Sequence, residues 1–286
     1  MPTIVSTDGT RLYYEEAGAG TPVVFVHEFA GDYRTWEPQM RFFSRAHRCV
    51  TFSARGYPPS DIPTDASRYG QDIARGDVVA ILDGLGVAKA HIVGHSMGAY
   101  TSLHVGIRHR ERCISVAAIG CGWGSVADPA EREAMRKIAA ATGAMFAEKG
   151  MAEGAAQYAG GPTRQSQKYK DPRGYAEFMR MLAEHSSQGH ALTMSMLQAK
   201  RPNLWDMEAD LKKFSVPLLI IVGDEDESSL DGSIFLKRTA PTAGLLVVPR
   251  SGHNITSEEP AAFNAALADL FAAAEAGRWL AHRAVG

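Results

Sequence analysis

The chain reads Gly94-His95-Ser96-Met97-Gly98 at the point where an apolar run, Ala90-His91-Ile92-Val93, gives way to a helix-forming stretch, Ala99 to Gly106. Gly-x-Ser-x-Gly between a buried strand and a helix is the pattern of a nucleophile elbow. Such a turn forces unusual backbone angles on the serine. The glycines two residues to either side let strand and helix pack closely. The hydroxyl then stands at the carboxyl edge of a sheet, above the positive end of a helix. The same letters also describe a tight turn whose serine does no chemistry, so the flanking strand and helix carry the functional reading.

Outward from that point, short apolar runs alternate with helical patterns, which predicts a largely parallel sheet with helices on both faces. Thr3 to Ser6, a turn at Asp8-Gly9 and Arg11 to Glu16 read as a hairpin. Pro22 to His27 is a continuous apolar run, as expected of a strand buried on both faces. Cys49 to Phe52 is a further strand, and Ile73, Val78, Ile81, Leu82 and Leu85 give Tyr69 to Leu85 a helical face. After Ile114 to Ile119 the alternation stops. Helical patterns follow at Pro129 to Thr142, Ala144 to Tyr158, Gly174 to Ser187 and Leu192 to Ala199. Strands resume at Val216 to Val222 and Gly244 to Val248, before a last helix from Pro260 to Ala274. The expected organisation is a core built from 1–123 and 214–286, with a helical cap over 124–213.

A serine nucleophile needs a base, and the base needs an orienting group. Gly223-Asp224-Glu225-Asp226 and Ser251-Gly252-His253-Asn254 each follow directly on a predicted strand, in the chain order serine, acid, histidine. Asp224, Glu225 and Asp226 all compete for the role of acid. The early loop His27-Glu28-Phe29-Ala30-Gly31, the segment Ala54-Arg55-Gly56-Tyr57 and Glu258-Glu259-Pro260 after the histidine complete a set of motifs. In that order the chain resembles the α/β-hydrolase superfamily over nearly its whole length. The resemblance implies a mostly parallel eight-stranded sheet flanked by helices, with an inserted cap. It also implies Ser96 as nucleophile, His253 as general base and then acid, and Asp226 as the orienting acid. The oxyanion donors are expected to be the backbone N–H groups of Met97 and Phe29.

Glu28 departs from the glycine that most relatives place after that histidine. Locally the loop resembles dienelactone hydrolases, where a glutamate lies near the nucleophile. Glu28 is therefore expected either to face the site or to pair with an arginine such as Arg55. Trp36, Tyr100 and Trp123 are further candidates for contact with substrate. His27 and His95 are expected to be structural, and Cys121 a small core residue. A methionine- and aromatic-rich cap predicts an apolar pocket for a small to medium substrate.

The composition narrows the class. Thirty basic against 32 acidic residues, without a basic stripe, argue against nucleic acid. Cys49, Cys113 and Cys121 are scattered and odd in number, which points to a reducing cytoplasm. Neither a signal peptide nor a membrane span is expected. No metal or organic cofactor is implied, since spacings such as H-E-x-x-H are absent. The predicted partner is a small-molecule substrate, with no nucleic acid and no membrane, and the chain is expected to be a monomer or homodimer. The leading expectation is hydrolysis of a carboxylic ester or lactone. Hydrolysis of C–C bonds in ring-cleavage products and a triad-bearing ligand receptor are the alternatives. Serine at the elbow argues against epoxide hydrolases and haloalkane dehalogenases, which carry aspartate there.

Overall fold

The computed structural model describes residues 1–279. Eight strands form one sheet: β1 (Thr3–Val5), β2 (Arg11–Ala17), β3 (Thr21–Val26), β4 (His47–Phe52), β5 (Ala90–His95), β6 (Cys113–Ile119), β7 (Leu218–Gly223) and β8 (Ala243–Val248). Their order across the sheet is β1-β2-β4-β3-β5-β6-β7-β8. Only the β1–β2 and β2–β4 pairings are antiparallel; β4 through β8 run parallel. The uninterrupted apolar runs of β3, β5, β6 and β7 follow from burial on both faces.

One face is covered by α1 (Glu37–Phe43) and the C-terminal helix Pro260–Glu275, which pack on Phe25, Val93, Ile119 and Ile221. The other carries α2 (Gln71–Gly84) and α3 (Met97–Arg108), packed on Val24, Ile92, Val116 and Ile220. Alternate residues of each strand thus feed two separate cores. Trp279 donates its indole N–H to the Thr242 carbonyl at 2.7 Å, so this part of the tail packs on the core. Residues 280–286 lie outside the described residues.

Between β6 and β7 the chain is helical: α4 (Pro129–Ala159), α5 (Gln165–Lys170), α6 (Pro172–Ala183), α7 (Ser187–Leu192), a π-helical turn at Thr193–Gln198 and α8 (Glu208–Leu211). The spacing predicts a break near Gly143, but α4 runs through it and departs from helical geometry at Gly150 (φ 71°). Gly143 serves packing instead: a Cβ there would lie 2.9 Å from the Ala191 carbonyl oxygen, so α7 can approach. α5 was missed because six residues hold too little periodicity. The stretch from Leu204 to Phe214 packs on the main core beside Val216 and Leu218, so the last part of the expected cap is fixed to the sheet layer. The remaining helices are α9 (Glu227–Thr239), α10 (Ile255–Glu258) and α11 (Pro260–Glu275). Among the described residues no helix is long and apolar enough to cross a membrane.

Candidate active site

Parallel strands end their carboxyl termini on one edge of the sheet, and in open α/β sheets that edge is where ligands bind. β5 is followed directly by Ser96, whose backbone sits at φ 53°, ψ −109°. Such a conformation costs a non-glycine residue about 1–3 kcal/mol. It is held by the Ser96 N–H donating to the Ile119 carbonyl at 2.7 Å and by α3 starting immediately afterwards. A Cβ at Gly98 would lie well inside contact distance of the Val26 carbonyl oxygen, and one at Gly94 would collide with the Gly98 backbone. Gly98→Ala is accordingly expected to cost about 3 kcal/mol or more, because rigid backbone must move. A melting temperature within 2 °C of wild type would contradict this.

The candidate acid and base come from the next strand ends. Gly223 closes β7 against the Ser251 backbone, and the Glu225 N–H donates to the Ser251 carbonyl at 2.9 Å. That clasp brings Asp226 to His253: Nδ1 of His253 lies 2.6 Å from Oδ2 of Asp226, both buried. Ser228 donates to the other carboxylate oxygen at 3.0 Å. Asp224 and Glu225 are exposed; Asp224 accepts from the Ser251 N–H. Burial would raise the Asp226 pKa, but His253 and its hydrogen bonds bring it down to about 2. For His253, burial favours the neutral ring, yet the Asp226 charge and hydrogen bond outweigh it and lift the pKa above the usual histidine value.

The surrounding histidines support this frame. His95 Nε2 contacts the His253 carbonyl oxygen at 2.8 Å, tying the nucleophile strand to the histidine loop. His27 accepts from the Ala54 N–H through Nε2 (2.9 Å), which leaves Nδ1 to donate to the Glu28 carbonyl at 2.6 Å. Burial pushes both rings down to about 4, so they are neutral near pH 7. Met97 opens α3, and its N–H therefore has no intrahelical partner. Phe29 lies in the loop after β3, whose turn is closed by the Gly31 N–H donating to the Glu28 carbonyl.

Glu28 does not pair with Arg55, which is taken by Asp77 and Asp8. Its partner is Arg164, from the turn before α5, and both side chains are at most 2% exposed. Burial would raise the Glu28 pKa, but Arg164, and then His95 and His253, hold it near 2. Carboxylate and ring-nitrogen atoms of Glu28, His95 and His253 lie within 4.8 Å of one another, a spacing that could suit a metal ion. In this structure a guanidinium already pairs with Glu28, and His95 Nε2 and His253 Nδ1 are engaged in hydrogen bonds.

The other expected contacts divide. Trp36 does not face the site; it is packed between Phe25 and Phe263 on the α1/α11 side of the sheet, because the loop turns into that core before α1. Tyr100 is buried one turn beyond Ser96, with its hydroxyl paired to that of Ser125 and its ring beneath Arg201. Trp123 is half-buried and offers its carbonyl to Arg201. Cys121 is a buried thiol that desolvation raises to about 12, so it is protonated and unreactive. Arg164 and Arg201 escaped the sequence reading, since no periodicity links them to the elbow. The Gly160-Gly161-Pro162 breaker cluster before Arg164 marked only a loop.

A family model described as alpha/beta hydrolase fold matches residues 21–260. The chain belongs to the α/β-hydrolase fold family. It is 28% identical over 215 residues to 3-oxoadipate enol-lactonase 1 of Acinetobacter baylyi, covering 71% of each chain. It is 31% identical over 134 residues to an epoxide hydrolase of Caballeronia sordidicola, covering 46% of this chain and 41% of that one. The match thus spans less than half the length of that relative. Among solved structures, the enol-lactonase from Burkholderia xenovorans superposes with a TM-score of 0.83 at 21% identity, covering 95% of this α/β-hydrolase and 100% of that chain. An esterase from Thermogutta terrifontis does so with 0.81 at 23%, covering 96% and 98%. At these identities the superpositions establish a shared fold.

Proposed function

We propose that this α/β-hydrolase is a serine hydrolase that cleaves a small to medium carboxylic ester or lactone through an acyl-enzyme on Ser96. The observation that carries the reading is the 2.6 Å His253–Asp226 pair beside a serine held at positive φ on the same sheet edge. Similarity to a lactonase supports the choice of bond. In this reading Ser96 Oγ attacks the carbonyl carbon while His253 Nε2 takes its proton. The oxyanion is met by the N–H groups of Met97 and Phe29. His253 returns the proton to the leaving alkoxide, and a water deprotonated by His253 then releases the acid. Asp226 holds Nδ1 protonated, so that Nε2 is the basic nitrogen. The partner is a small molecule, and the helices between β6 and β7 act as its cap. Three free, buried cysteines fit a reducing cytoplasm.

The test is turnover of a short-chain p-nitrophenyl ester together with intact-mass detection of a fluorophosphonate adduct. Turnover with one adduct supports the proposal. An adduct without ester turnover moves the search to C–C substrates. Folded protein with neither refutes it.

Asp226→Asn is expected to lower kcat by about 10⁴-fold. The base must be neutral, so activity rises with pH through the His253 pKa. In the wild type Asp226 holds that pKa above the ordinary value, and without its charge burial dominates. The rise should therefore move to lower pH in Asp226→Asn. A loss under tenfold with an unmoved profile would assign the acid elsewhere.

A further inference from the structure

Glu28 places a charge beside the general base that the attack by Ser96 does not use. A carboxylate oxygen of Glu28 and a ring nitrogen of His253 lie within 4.8 Å of each other. Both side chains are buried, yet among the described residues no hydrogen bond joins them. Oε2 of Glu28 is the oxygen paired with Arg164, and Nδ1 of His253 is paired with Asp226. Oε1 of Glu28 and Nε2 of His253 are the atoms left over. Both are acceptors. Arg164 keeps the carboxylate ionised at neutral pH despite its burial, and Asp226 keeps the proton of the neutral imidazole on Nδ1. Neither leftover atom is among the polar atoms that the fold seals away without a partner, whereas Arg164 Nε and Nη1 are.

One water molecule suits such a pair of acceptors. Two hydrogen bonds of about 2.8 Å, donated at a near-tetrahedral angle, span roughly 4.5 Å between their acceptors. That water gives one hydrogen to Glu28 and the other to His253, and its lone pairs are directed away from both. Glu28 also directly precedes Phe29, whose N–H is the proposed donor to the acyl oxygen. A bare carboxylate there would oppose the growing oxyanion, and the Arg164 guanidinium offsets it. The two half-reactions use this arrangement differently. A serine hydroxyl has a single hydrogen, which goes to His253, so Glu28 has nothing to accept during acylation. Water has a second hydrogen.

We propose that Glu28 is a catalytic residue of deacylation: it accepts a hydrogen bond from the water that hydrolyses the acyl-enzyme and aims that water at the acyl carbon. This rests on the serine-hydrolase reading and deepens it. The water oxygen bonds to the acyl carbon while one of its protons passes to His253 Nε2. The tetrahedral intermediate then collapses by breaking its bond to Ser96 Oγ, which takes that proton from His253. The second proton leaves on the hydroxyl of the product acid. Glu28 stays ionised throughout.

The experiment follows p-nitrophenyl butyrate in wild type and Glu28→Gln, at a pH on the plateau of both profiles. In the variant the amide oxygen remains the partner of Arg164, so an N–H donor meets the water where an acceptor is needed. Stopped-flow release of p-nitrophenolate gives the acylation rate. Rapid quench with intact-mass analysis gives the decay of the butyryl-enzyme. Glu28→Gln should acylate within about threefold of wild type, and its butyryl-enzyme should decay about 10- to 100-fold more slowly, as a misplaced nucleophile does. Equal decay rates overturn the proposal. So does an equal loss in both steps, which would leave Glu28 only a support for the site through Arg164. If Glu28→Gln does not fold, Glu28→Leu/Arg164→Met takes its place, because no bare charge then remains in the interior, and the same two comparisons decide. If wild type releases no p-nitrophenolate and forms no butyryl adduct, the serine-hydrolase reading fails at its first step and this inference falls with it.

Discussion

Ser96→Ala is expected to lower kcat on a p-nitrophenyl ester by on the order of 10⁵- to 10⁶-fold while the protein stays folded. Removing a nucleophile leaves only the contribution of the oxyanion donors and of substrate binding. The substitution also removes an Oγ from a position held at φ 53°, a strain that alanine inherits unchanged. The melting temperature should therefore move by less than a few degrees. Intact-mass analysis gives a second readout, since the fluorophosphonate adduct should vanish with the activity. Retention of more than a hundredth of the rate, or an adduct on another residue, would displace Ser96 from the proposed mechanism.

The second large effect concerns the Glu28–Arg164 pair, which joins the loop after β3 to the turn before α5. Arg164→Met is expected to destabilise the fold by about 3–5 kcal/mol, because a buried carboxylate then stands uncompensated. The sign with pH follows from the shift. In the wild type Glu28 is held near 2, below its ordinary 4.5. Its contribution is thus full above pH 4.5 and is lost as pH falls toward 2. In Arg164→Met, burial raises the pKa instead. The variant should then lose stability as pH rises above 4.5, opposite to the wild type. Urea unfolding at pH 5 and pH 8 reads this directly. Glu28→Gln/Arg164→Met should recover part of the loss, because no bare charge remains. Equal losses at both pH values, or no recovery in the double variant, would mean that the pair is not a coupled charge unit. Kinetics of Glu28→Gln across pH separate a role in catalysis from one in stability. The carboxylate lies close to His253, so its removal should lower the pKa governing the rise in activity.

Much of this architecture was legible because its signals are local. A strand buried on both faces must be apolar throughout, and the runs at Pro22, Ala90, Ile114 and Val216 announced four central strands to within a few residues. The elbow is local as well, since its glycines, strand and helix are contiguous. Order along the chain placed Ser96, the Gly223–Asp226 segment and His253 after successive strands. Parallel pairing then put all three at one edge. Three acids competed in sequence. Only the turn that exposes Asp224 and Glu225 and buries Asp226 against His253 distinguishes them.

The tertiary structure alone decided the rest, and the reason is distance along the chain. Glu28 and Arg164 are 136 residues apart and meet because α5 settles on the histidine loop, where Asn254 Nδ2 donates to Gln167 Oε1 at 2.8 Å. Trp36 lost its expected place for a similar reason: an aromatic beside a loop carries no mark of which sheet face it will join. Arg201 is likewise placed only by folding, which stacks it on the Tyr100 ring 101 residues earlier in the chain. Sequence by itself determined the repeating apolar pattern, and with it the sheet and the strained serine at its edge, because those depend on neighbours a few residues away. The pairing of buried charges above that edge depends on which surfaces meet, and the folded chain sets it.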